Sequence, residues 1–389
     1  MKVISTENKP IKMWLEEIED GALKQAKNLA NLPFLFKHVS LMPDCHQGYG
    51  MPIGGVIATK GVIIPNAVGV DIGCGMCSLK TDLTDMSIDD LKSIIEKIKE
   101  VVPVGFEHQK EMQDIMGMPK IDDTKIVDMK IVDQQYDNAR NQLGTLGGGN
   151  HFIEIQKGSD GLIWIMIHSG SRNLGYKVAK HYNDIAVKLN KRWHTEVKKE
   201  IELAFLPIET QEAKNYIEEM NYCIDFALAN RTLMMDRIKE SFISVIPNVE
   251  FSTFINIAHN YAKWENHYKE NIIIHRKGAT SARLEEIGII PGSQGTKSYI
   301  VKGLGNKESF MSCSHGAGRK MGRKQAIREL DFEAEKKNLE SKGIIHSVIT
   351  KNDLDEAPGA YKNIDTVMKN QKDLVEIVVE LKPLAVIKG

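Results

Sequence analysis

Residues 68–79 read VGVDIGCGMCSL. An aspartate and two cysteines stand among glycines, directly behind an apolar run. Glycine weakens a strand interior, but it serves where the backbone must bend sharply or approach another group closely. A disulfide, a metal site and a tight buried turn would each account for the pattern. The five cysteines (45, 74, 77, 223 and 313) are odd in number and sparse for 389 residues. That argues for a reducing compartment and against a disulfide framework.

The composition, 42% hydrophobic and 26% charged, is that of an ordinary globular protein. With a formal net charge of -1 no global field draws the chain to nucleic acid or membrane, so any polyanion site must be a local basic patch. The N-terminal MKVISTENKP lacks an apolar signal region, and no run reaches the roughly 18 apolar residues of a membrane span. A cytoplasmic protein is the expectation.

No repeat or Pro/Ser-rich linker divides the chain, and glycine-rich turns recur throughout, so one domain over 1–389 is expected. Apolar spacing predicts a helix over Met13–Leu32, stopping before Pro33. Ser87 with Asp90 opens another in the manner of a capping box. The segment 209–246 is the longest helical stretch, as one helix or two, and a further helix is expected from about Arg319 to Lys337. Strand-like runs are GVIIPNAVGV, GLIWIMIH, ENIIIHRKG, KSYIVKG and the terminal LVEIVVELKPLAVIKG. Strands and helices do not alternate regularly, which favours α+β or an irregular α/β fold over a doubly wound sheet.

Three stretches set a histidine beside small or amide residues: GGGNHFIE (147–154), WIMIHSGSR (164–172) and SCSHGAGR (312–319); a fourth histidine lies in INIAHNYA (255–262). Imidazole, thiolate and carboxylate are the usual ligands of zinc and manganese-like ions. His151, His168 and His259 are therefore candidate ligands beside Asp71 and Cys74; the alternative is that each histidine simply belongs to the core or a loop. Cys77, in a strand-like MCSL, reads as a small buried hydrophobe. From His315 to Arg328 there are five basic residues and no acid. With glycines at 316, 318 and 322 this stretch could hold phosphate or form a solvated basic face. IIPGSQGTKS (289–298) is a second glycine-rich loop suited to a nucleotide. Neither loop has Walker A spacing, and LGTLGGGN does not fit a dinucleotide fingerprint.

DIGCG, GGGNHFIE, HSGSR, AHNYA, PGSQG, SCSHGAGR and the final VIKG, in this order over nearly the full length, resemble the RtcB family of RNA-splicing ligases, most closely its bacterial form. The resemblance implies one large α+β domain with central, mainly antiparallel β-sheets flanked by helices. It further implies a GTP-dependent, manganese-using ligase that joins RNA 3'-phosphate or 2',3'-cyclic phosphate ends to 5'-hydroxyl ends. In that pattern Cys74 bridges two Mn(2+) ions, one completed by His151 and His168, the other by Asp71 and His259. His315 matches the histidine that becomes guanylylated. Asn150, His151, Phe152, Ile153 and Glu154, His259 and Asn260, Pro291, Gly292, Ser293 and Gln294, Ser298, His315, Gly316, Ala317 and Gly318, and Lys388 match the segments that hold GTP. Glu154 and Lys388 suit the guanine edge, and Arg319 and Lys320 suit RNA phosphates.

The partners implied are RNA, GTP and an archease-like activator, with the ligase itself a monomer. Cys45 stands where an aliphatic residue would be ordinary, Asp44 and His46 could support the metal shell or the RNA end, and the region 104–142 is shorter than the family pattern. Two other readings compete: a metal-dependent cyclic-phosphate hydrolase, which would not need His315 or Lys388, and a metal-stabilised RNA-binding protein, which would need no such complete ligand set.

Overall fold

The computed structural model describes residues 1–122, 124 and 126–389. Two large sheets organise it. One has six strands in the order Lys2–Ile4, Ile11–Met13, Leu35–His46, Ile53–Thr59, Glu270–Lys277 and Asn260–His267. Only its Ile11–Met13/Leu35–His46 pair is parallel. The other has seven strands, all antiparallel, in the order Phe251–Ala258, Gly75–Thr81, Ile163–Ser169, Phe152–Gly158, Val375–Lys388, Ser298–Gly303 and Ile287–Ile290. With helices packed on these sheets, the architecture is the α+β arrangement of antiparallel sheets expected above.

The alternating residues Ile153, Ile155, Ile165 and Ile167 face one side of the seven-stranded sheet, where they pack with Ile94 and Ile98 of one helix and Met234 and Ile238 of another. The first helix, Ile88–Val101, starts as expected, with Ser87 Oγ accepting from the Asp90 N–H at 3.1 Å. The second, Gln211–Val245, is a single helix of 35 residues, about 50 Å long. Its buried Arg231 donates to Asn256 Oδ1 at 2.7 Å, Gly73 O at 3.1 Å and Ser169 O at 2.8 Å, tying three segments together. Among the described residues all five cysteines are free, and no helix is long and apolar enough to cross a membrane.

Several elements differ from expectation. Residues 13–32 are not one helix: Ile11–Met13 is a strand against Val39–Leu41, and the helix is Asp20–Ala30. Burial of Ile11 and Met13 in the sheet outweighs local helical spacing. GVIIPNAVGV is not a strand. After Val62–Ile63, Pro65 opens the short helix Pro65–Val68, its missing N–H costing nothing at a first helical position.

The strand therefore follows the DIGCG turn instead of leading into it. Gly73 adopts φ +74°, and a Cβ there would lie 2.8 Å from Ile224 Cα of the long helix. At Gly75 a Cβ would lie 2.0 Å from Ile257 O of the neighbouring strand. The basic stretch after 319 forms two helices, Arg323–Glu329 and Phe332–Glu340, the second capped by Asp331 accepting from the Ala334 N–H. Within 104–142 the structure contains a short turn of helix at Ile115–Gly117 and the helix Lys130–Gln142, while residues 123 and 125 lie outside the described residues.

Replacing Arg231 by Met leaves two buried carbonyls and the half-buried Asn256 side chain without their charged donor. The expected cost is about 3 kcal/mol, read as a lower urea midpoint with an unchanged slope.

Candidate active site

Antiparallel register brings one end of five adjacent strands together. Gly75 pairs with both Ser169 and Ala258, and Phe152 pairs with both His168 and Lys388. Cys74, His151, His168, His259 and Lys388 thus meet at one edge of the seven-stranded sheet. His315 joins them from the end of Ser312–Ser314, a strand paired with Ala279–Ser281, and its ring centroid is 4.8 Å from that of His259.

Cys74 Sγ is 3.5 Å from His151 Nε2 and 3.3 Å from His168 Nε2. The Nδ1 atoms of these rings lie 3.0 Å from Leu146 O and Asn150 O. A carbonyl can only accept, so each Nδ1 carries a proton and each Nε2 is the atom turned to the cysteine, that of His151 facing Asp71 as well. Burial lowers the pKa of His168 and His259 well below the usual imidazole range, keeping them neutral. Burial, with the Asp71 charge, raises the Cys74 thiol well above its usual value. A thiolate there requires a compensating cation. Burial also opposes ionisation of Asp71, but the hydrogen bond and charge of His151 outweigh it and hold the carboxyl below its usual pKa.

Three imidazoles, one buried thiol and one carboxylate fit a divalent ion of intermediate softness. Two such groups share Cys74: Asp71, Cys74 and His151 form one; Cys74, His168 and His259 form the other. The resemblance divides the same five residues differently, setting His151 with His168 and Asp71 with His259. Asp71 Oδ2 is 3.2 Å from His151 Nε2, which puts the carboxylate on the His151 side.

Beside the cluster lies a cavity of about 300 Å³. Asn150, Phe152, Glu154, Pro291–Gln294, His315–Gly318 and Lys388 line it, together with Arg319, Arg323, Glu356 and Tyr361. Five expected nucleotide contacts lie off this lining: His151 and His259 belong to the ligand cluster, and three others lie elsewhere. Ile153 packs in the core under the sheet. Asn260 braces the metal turn, donating to Asp71 O at 3.0 Å and accepting from Gly278 N at 2.7 Å. Ser298 Oγ accepts from Gly292 N at 3.1 Å and shapes the 291–294 loop from behind.

Arg319 spends its guanidinium inside the protein, on Met321 O, Asp355 O, Glu356 and Tyr361, so it holds the loop in place of the RNA contact expected for it. Lys320 is exposed. Cys45 is buried in an apolar cluster, as its small side chain suggests.

Sequence reasoning left two carboxylates without a firm role. Asp44 Oδ2 lies 2.6 Å from His315 Nδ1 and accepts the N–H groups of His315 at 3.0 Å and Gly316 at 3.3 Å. Asp44 is fully buried, which opposes its ionisation, but the His315 charge and hydrogen bond outweigh this and lower its pKa. An ionised Asp44 makes His315 Nδ1 the donor, leaving the Nε2 lone pair as the ring's free acceptor. Glu356 is the other. It receives Lys388 at 2.9 Å, Arg319 at 3.0 Å, Arg323 at 3.3 Å and the Tyr361 hydroxyl, a set of donors that outweighs burial and keeps it ionised. Asp44 had a signal in MPDCHQGYG; Glu356, in an unremarkable LDEAPG, had none.

The model of the family described as tRNA-splicing ligase RtcB matches residues 25–389. The chain belongs to the RtcB family. It is 39% identical to RNA-splicing ligase RtcB of Escherichia coli K12 over 409 aligned residues, covering 100% of this chain and 99% of that protein. It is 32% identical to tRNA-splicing ligase RtcB of Thermococcus kodakarensis, covering 95% of this chain and 92% of that one. The higher identity to the Escherichia coli RtcB than to the archaeal one agrees with the bacterial resemblance.

Adding cobalt(II) to the RtcB-family chain should give a thiolate-to-cobalt absorption band with release of the Cys74 proton. Cys74→Ser should abolish the band, and His168→Ala should weaken cobalt binding on the order of tenfold or more.

Proposed function

We propose that this chain is an RNA ligase that joins RNA 3'-phosphate or 2',3'-cyclic phosphate ends to 5'-hydroxyl ends at the expense of GTP, in RNA repair or tRNA splicing. The observation that carries the reading is the Asp44–His315 pair, which frees His315 Nε2 as a nucleophile beside a nucleotide-sized cavity and a two-group metal cluster. Family membership supports RNA ligation as the reaction.

His315 Nε2 attacks the α-phosphorus of GTP. An N–P bond forms, the bond to the bridging oxygen breaks, and pyrophosphate leaves. Asp44 holds the Nδ1 proton and offsets the positive charge on the ring, as an orienting carboxylate does for an imidazole. The RNA 3'-phosphate then displaces His315 from phosphorus, giving RNA(3')pp(5')G. Attack of the 5'-hydroxyl on the RNA phosphorus forms the phosphodiester and expels GMP. A cyclic end is first opened by water to the 3'-phosphate. Asp71, Cys74, His151, His168 and His259 would hold two manganese ions, whose charge stabilises phosphoryl oxygens when bound.

Glu154 and Lys388, which both line the cavity, would read guanine. Burial raises the Glu154 carboxyl to about 8, against the opposing pull of Gln156 and Lys388. The N1–H and N2–H donors of guanine would favour its ionised form. Asn150 would orient a phosphate, and the amides of 291–294, which line the same cavity, would face the nucleotide.

Intact mass after incubation with GTP and manganese should show a GMP adduct on the wild type and none on His315→Ala. Asp44→Asn should slow adduct formation on the order of 10²-fold or more. A wild type that takes no adduct, even with an archease-like activator supplied, overturns the reading in favour of hydrolysis.

Because guanine binding requires ionised Glu154, affinity for a non-hydrolysable GTP analogue should rise with pH, by at most about tenfold per unit, and level off above about 8. Calorimetric titration of Glu154→Gln should show no such slope.

A further inference from the structure

A second cavity, of about 450 Å³, lies behind the nucleotide pocket. Five lysines line it, Lys297, Lys320, Lys342, Lys362 and Lys382, against one carboxylate, Asp365. They come from five segments far apart in the chain, so the cluster is not the solvated face of a single helix. Asp365 accepts from the Tyr299 hydroxyl at 3.0 Å. Lys297 is half-exposed and paired with Glu380.

Lys342 and Lys362 donate to backbone carbonyls, Lys342 to Gly295 O at 2.9 Å and Lys362 to Cys45 O; the acceptor of Lys342 is neutral, while the charge of Lys362 also acts on the buried Asp44. The exposed ammonium groups of Lys320 and Lys382 have no ion-pair partner among the described residues. In a chain of net charge -1 this is a local concentration of positive charge. The larger cavity beside Trp264 has the opposite balance, with five carboxylates to three cations.

The groove adjoins the site. Tyr361 lines both cavities, and the loop that supplies Pro291–Gln294 to one supplies Gly295–Lys297 to the other. Between them runs a ribbon in which Lys320 N donates to Ala360 O at 3.0 Å and Lys362 N to Gly318 O at 2.9 Å. The same short loop thus carries His315 on one side and Lys320 on the other.

We propose that this groove binds the phosphodiester backbone of the RNA strand whose end enters the pocket. The inference rests on the RNA-ligase reading in taking RNA as substrate. Lysine ammoniums are point charges that grip phosphates without reading bases, which suits an enzyme that must hold a strand by its backbone while the pocket selects its end.

The test uses the full-length protein without GTP or metal and a fluorescent single-stranded RNA ending in 3'-phosphate. Its affinity is followed by anisotropy across a salt series. Lys320→Glu with Lys382→Glu should weaken binding about tenfold or more and lower the salt slope by roughly 1.4, two contacts at about 0.7 each. Lys320→Arg with Lys382→Arg should keep wild-type values, and matching thermal melts should show that both double variants fold. A charge-reversed protein that folds yet binds RNA with wild-type affinity and slope overturns the proposal. Since the assay needs no ligation, a protein that forms no GMP adduct but loses RNA on charge reversal sinks only the ligase reading. One that ligates normally with groove-independent binding sinks only this one.

Discussion

The backbone of Gly75 lies between Ser169 and Ala258, in a strand pairing too close for any Cβ, and the site depends on that contact. It sets Cys74 one residue beyond the paired region, between the ends of the strands that deliver His168 and His259. Arg231 reinforces the arrangement from the far side of the sheet. One guanidinium there holds Gly73 O, Ser169 O and the Asn256 side chain, so the turn and both flanking strands are fixed by the same buried group. A ligand cluster built on strand ends is rigid because moving one ligand means breaking a ladder.

Electrostatics then divides the site into two regions. Around Cys74, burial keeps His168 and His259 neutral and the thiol protonated, so the cluster has lone pairs and a strong demand for positive charge. Around His315 and Lys388, the buried carboxylates of Asp44 and Glu356 stay ionised because cationic or imidazole partners outweigh the cost of burial, whereas burial prevails at Glu154. Asp44 orients a histidine, and Glu356 gathers the cations that would otherwise repel one another across the pocket wall. The pocket thus has fixed polar groups on rigid elements, and its walls come from segments as distant as residues 46 and 388.

Much of this was legible in the chain. The capped helix after Ser87, the long helix to Val245 and the apolar runs ending in histidine all formed, because local periodicity and burial agree at those positions. Disagreement arose where tertiary contacts override local preference. Ile11–Met13 is drawn into the six-stranded sheet between Lys2–Ile4 and Leu35–His46, and Pro65 turns an apolar run into a helix start. The helices Lys130–Gln142 and Arg172–Arg192 escaped notice because their sequences are largely polar. The first is anchored by Glu219, whose carboxylate accepts the N–H groups of Ile131 and Val132 from another helix, a contact that spacing along the chain cannot reveal.

The sequence by itself determined which side chains could do chemistry, since cysteine, histidine and aspartate set among glycines at the ends of apolar runs have few other uses. For the runs ending in histidine it also determined the strand, through their β-branched and aromatic residues. Only the tertiary structure decided which ligands share a group, that Asp44 serves His315 across 271 positions, and that five scattered lysines face one groove. The reason is physical. Composition and periodicity act over a few residues, whereas a metal group, an ion pair or a basic groove is defined by distances of a few ångströms between segments whose register is set only when the sheets close.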